Sequence, residues 1–200
     1  MFGAATFLRR GVAGLAAFMA WVAGWNYIAC AFFITGDIIG RNAFGVSSAA
    51  TVEITGYMLA CGIAWGLAHT LAARAHTRVD VLVTRLPAAW RAPLHLFSLL
   101  LLTVFAAFVA WAAWGLVDES ALFDAHDNSA LRIPLVIPQG LWAVGISAFL
   151  IMCGVLLLES LLALMTGQGA QLDALLGSRS LTDETDEALG AVAMARSGKP

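Results

Sequence analysis

The sequence predicts an all-α integral membrane protein with four transmembrane helices, and three observations carry that prediction. The chain is 60% hydrophobic and only 12% charged, with a mean hydropathy of +0.84, whereas an ordinary soluble domain carries about 25% charged residues. Four stretches, 11–35, 54–73, 92–117 and 133–158, contain no Asp, Glu, Lys or Arg, and each reaches the roughly 20 residues that cross about 30 Å of hydrocarbon. The remaining charges are sorted by span end. Arg9, Arg10, Arg74, Arg78, Arg85 and Arg91 flank one set of ends, and only Arg41 and Arg132 flank the other. Because cytoplasmic loops are rich in Lys and Arg, this asymmetry predicts an N-in/C-in topology, with the N-terminus and the 74–93 loop in the cytoplasm. The opposite loops carry Asp37, Glu53, Asp118, Glu119, Asp124 and Asp127, as an outer face allows.

The first helix is expected at about 11–35. Arg9 and Arg10 precede its apolar run, as in a signal peptide, but the run is far longer than the 7–15 residues of a signal core, so it is expected to stay as a helix. The second helix, about 54–73, contains Gly62 and Gly66 in a GxxxG pattern that permits close helix approach. That approach serves either contact inside the four-helix domain or docking onto a larger membrane partner. Between the second and third spans, Val79, Leu82 and Leu86 recur at helical spacing while Arg78 and Arg85 project elsewhere. This predicts a short amphipathic cytoplasmic segment, with Trp90 as an interfacial anchor and Arg74, Arg85 and Arg91 directed to anionic lipid headgroups.

The third and fourth helices are expected at about 93–117 and 136–160. Counted from Pro138, Glu159 lies about 31 Å along the fourth helix at 1.5 Å per residue, which predicts a residue of the inner interface. Most of the tryptophans, Trp21, Trp25, Trp65, Trp90, Trp111, Trp114 and Trp142, are expected as bilayer anchors. Residues 1–166 thus form a membrane domain. Residues 167–200 form a polar cytoplasmic tail, either a short helix begun at Ser180-Leu181-Thr182-Asp183 or a disordered segment.

A solute path or proton relay through this chain would need ionisable groups inside the spans, and the middle of each span holds none. Asn26 is the notable polar residue there. His69 and His95, near the inner ends of the second and third spans, raise a haem- or quinone-binding anchor as the alternative. Asp124, His126 and Asp127 are candidates for a metal site or, more simply, for a hydrated loop. Cys30, Cys61 and Cys153 lack metal-ligand spacing and read as buried thiols, and no basic tract suggests nucleic acid. With no nucleophile and base, phosphate loop or paired carboxylates in a credible site, the chain does not read as an enzyme, and no cofactor or metal is expected.

Several patterns then occur in a telling order. Arg41-Asn42-Ala43-Phe44-Gly45 closes the first outer segment and Glu53 opens the second span. Arg74-Ala75-His76-Thr77-Arg78-Val79-Asp80 begins the inner loop, Leu86-Pro87 and Arg91 follow, and Ile133-Pro134-Leu135-Val136-Ile137-Pro138 leads into the fourth span. From about residue 10 to 165 this resembles the small permease subunit of tripartite ATP-independent periplasmic (TRAP) transporters, the DctQ type; the His76-x-Arg78-Val79-Asp80 run is its most specific part. Ala75, where family members often have Gly, and Thr51-Val52, near where they often have Trp, depart from the pattern.

The resemblance implies a non-enzymatic subunit that works with a large permease subunit, a periplasmic substrate-binding protein and the surrounding membrane lipids. Together they take up an organic acid, such as a C4-dicarboxylate, on an ion gradient. It also implies that Arg41, Glu53, His76, Arg78 and Asp80 are structural or subunit-interface residues, alongside Gly62 and Gly66. A related rival is the small membrane subunit of a tricarboxylate transporter, against which the His76 to Asp80 motif argues.

Overall fold

The structure, a computed structural model, describes residues 2–46, 48, 50–74, 88–128 and 131–166, with 185, 188–190 and 192 in the tail. The described membrane domain is built from α1 (Phe2–Phe44), α2 (Thr51–Ala72), α3 (Ala88–Leu122) and α4 (Val136–Met165). Each contains a stretch long and apolar enough to cross a membrane, so the chain is a multi-pass membrane protein.

The helices outrun most of the expected spans. α1 begins at Phe2 and continues past Thr35 to Phe44, 43 residues, or roughly 65 Å at 1.5 Å per residue, about twice the hydrocarbon thickness. Its extra turns are kept helical by an Asp37–Arg41 pair at i,i+4, 3.2 Å apart. It ends where Gly45 adopts φ 68°, the left-handed conformation that closes many helices and that glycine adopts without steric cost. α3 starts at Ala88, not near 93, so Trp90 and Arg91 belong to its first turn. Pro93 sits close enough to that start to cost a single backbone hydrogen bond. α2, 22 residues or roughly 33 Å, is the helix whose length matches the hydrocarbon alone. Uncharged runs measure the apolar zone, whereas a helix persists beyond it for as long as its backbone bonds are made.

α4 is the hub. α1 and α2 pack as an antiparallel pair, α4 packs against α2, α3 and α1, and α3 rests chiefly on α4. The seams are made of small residues: Ala16, Ala64, Ala68, Ala106, Ala110, Ala113, Ala143 and Ala163 are buried, with Leu71, Met152 and Cys153 filling the centre. In lipid there is no hydrophobic gain from bringing two apolar helices together, so close van der Waals contact between small faces takes its place. The bulky residues of α1 and α3, such as Phe32, Phe105 and Phe108, point outward.

Candidate functional site: helix seams and polar ends

Only one glycine of the GxxxG pattern on α2 is used in a contact within the domain. A Cβ on Gly62 would lie 2.8 Å from Tyr27 Cζ and 3.1 Å from Asn26 Nδ2, so this glycine exists to admit α1. Asn26 completes the seam by donating from Nδ2 to the Met58 carbonyl at 2.6 Å, which satisfies the polar group noted inside the first span. Gly66 has nothing within 4 Å of its would-be Cβ and takes no part in that contact. The tightest approach was not anticipated from sequence: at Gly145 of α4 a Cβ would meet Trp65 Cδ1 at 2.7 Å and the Ala64 carbonyl carbon at 2.8 Å. The signal was present in Ala64 and Ala68, a second small-xxx-small pair on α2, but Gly145 has no glycine partner at that spacing.

One end of the bundle, bearing the α1–α2 and α3–α4 connections, is acidic. There Arg41 is exposed and paired with Asp37, whose other oxygen accepts the Ser48 N–H at 2.7 Å and so ties the connection to α1. Glu53 lies in the first turn of α2, where the helix dipole favours a carboxylate, and its Oε2 is buried without a hydrogen-bond donor. One turn later, the Tyr57 hydroxyl donates to the Asp127 carboxylate and fastens α2 to the α3–α4 connection.

That connection is folded on itself. Asp127 N–H donates to the Ile133 carbonyl at 3.0 Å, Leu135 N–H to Ala125 at 2.9 Å, and His126 Nδ1 contacts the Asp124 carbonyl oxygen at 2.6 Å. Asp124, His126 and Asp127 are thus used in holding the loop and its tie to α2. Among the described residues no group of three His, Cys, Asp or Glu side chains converges as a metal site would require.

The opposite end is basic. Arg9 Nε lies 2.8 Å from Glu159 Oε2, and the Glu159 side chain is 1% exposed. The expectation of an interfacial Glu159 is therefore corrected. Its height along α4 matches that of the arginine at the start of the first span, but it points into the bundle, because a partner on α1 reaches it there. Arg74 closes α2 with φ 57° just after the Ala73 N–H has returned to the His69 carbonyl, and Arg91 is half-buried on α3. His76, Arg78, Asp80 and Arg85, the amphipathic segment they belong to and the Trp90 side chain lie outside the described residues.

α3 packs chiefly against α4 and meets α2 where Ala64 and Ala110 share a cluster with Ile146. Two of the tryptophans make hydrogen bonds between helices. The Trp114 indole N–H donates to Ser147 Oγ at 3.0 Å, close to the midpoint of the uncharged stretch of α4, and the Trp65 N–H donates to the Leu141 carbonyl at 2.8 Å. Trp21 and Trp25 form an edge-to-face pair on the outer side of α1.

What the described residues offer chemically is adhesion: small-residue seams, indole and amide hydrogen bonds across helices, and a charge pair withdrawn at one end. Comparison with known proteins agrees with that character. Residues 30–164 match the family model described as tripartite ATP-independent periplasmic transporters, DctQ component. No curated protein and no solved structure matches the chain.

Proposed function

This chain belongs to the DctQ family, and we propose on that basis that it is the small membrane subunit of a TRAP-type secondary transporter, acting as the fixed scaffold of the large permease subunit. The single observation that carries the scaffold role is the absence of ionisable residues from the middle of all four spans. A chain that bound a charged solute or its coupling ion at mid-membrane would carry such groups. In this reading the large subunit holds an organic acid delivered by a periplasmic binding protein and moves on an ion gradient, while this chain gives it something rigid to move against.

The basic end is cytoplasmic and the acidic end periplasmic, as the arginine asymmetry favours. Residues 1–166 form the scaffold and 167–200 a cytoplasmic tail. His76 and Asp80, four residues apart in sequence, have a structural role within the subunit in this reading. Arg78, Arg74, Arg85, Trp90 and Arg91 hold that end against the lipid headgroups. Glu53 and Arg41 order the periplasmic end.

The test is co-purification. Tagged and expressed from its native operon in mild detergent, the chain is expected to bring down a stoichiometric large permease with no Soret band; recovery of redox subunits with a haem spectrum would replace this reading. Asp80→Ala is expected to lower complex yield and uptake together, and unchanged values for both would remove Asp80 from the functional set.

A further inference from the structure

We draw no further inference here: the strongest candidate, the acidic cluster at the start of α2, where Glu53 lies one turn from the Tyr57 that donates to Asp127 and a cavity lined by Gln139 and Trp142 opens beside it, carries nothing, because neither Glu53 nor Gln139 is fully buried and nothing in the structure points to a ligand between them.

Discussion

At the basic end of the bundle the decisive contact sets a fully buried carboxylate, Glu159, against an Arg9 that still reaches water, whereas at the acidic end the contacts are a tyrosine on a loop carboxylate and an exposed Arg41 on Asp37. The difference lies in what happens when one partner is lost. Removing one half of a buried pair strands the other charge in a poor solvent; removing one half of a half-exposed contact leaves a group that water can satisfy. The basic end also joins α1 to α4 near the chain's two extremes, so its pair closes the bundle, while the acidic contacts fasten connections to helices that already pack.

The largest expected effect follows directly. Arg9→Leu, leaving the buried Glu159 carboxylate without its partner, is expected to destabilise the bundle by about 3–5 kcal/mol, read as an early loss of the monodisperse peak when the detergent-purified chain is heated. The double variant Arg9→Leu, Glu159→Leu sharpens the comparison, since replacing both charges by apolar groups is expected to recover most of that loss. If the double variant is as unstable as the single one, the pair is not what holds this end.

Next comes the core between the ends. Gly145→Ala forces a Cβ against the backbone of Ala64 and is expected to cost about 1–3 kcal/mol, while Gly66→Ala, with open space around it, is expected to stay within about 0.5 kcal/mol in the isolated chain. Equal effects at the two glycines would contradict the packing described for α2 and α4. At the acidic end, Tyr57→Phe removes one hydrogen bond to a carboxylate and is expected to cost about 1.5–3 kcal/mol at most, with faster proteolysis of the α3–α4 connection as its local signature. The smallest effect is at Arg41→Ala, about 1 kcal/mol or less, because Arg41 is exposed and Asp37 keeps the Ser48 N–H, visible as fraying of the last turns of α1 in hydrogen exchange.

Much of this architecture was legible before any coordinates. Four uncharged stretches located the four helices, because the cost of leaving a backbone unsatisfied in hydrocarbon makes any such stretch helical. The site was legible only in part. Gly62 was recognised as a contact glycine, but its partner α1 was not, since a GxxxG pattern says nothing about which helix it admits. Gly145 was missed because a lone glycine carries no spacing signal, and its role appears only when Ala64 of α2 lies beneath it. For Glu159 only a position along the helix axis was legible: counting residues says nothing of burial, which depends on which neighbour fills the facing groove.

The sequence by itself thus determined that this is a four-helix membrane protein, roughly where each helix crosses, and its likeness to the DctQ family over most of the chain. Only the tertiary structure decided that α4 is the hub, that α3 rests chiefly on α4, that Gly62 is used and Gly66 left open, and that Glu159 is paired inside the bundle. The physical reason is that hydrophobicity and backbone hydrogen bonding act along the chain and can be read residue by residue. In lipid, however, the choice among helix faces is made by van der Waals fit and a few polar contacts between segments far apart in sequence, and that fit exists only once the faces meet.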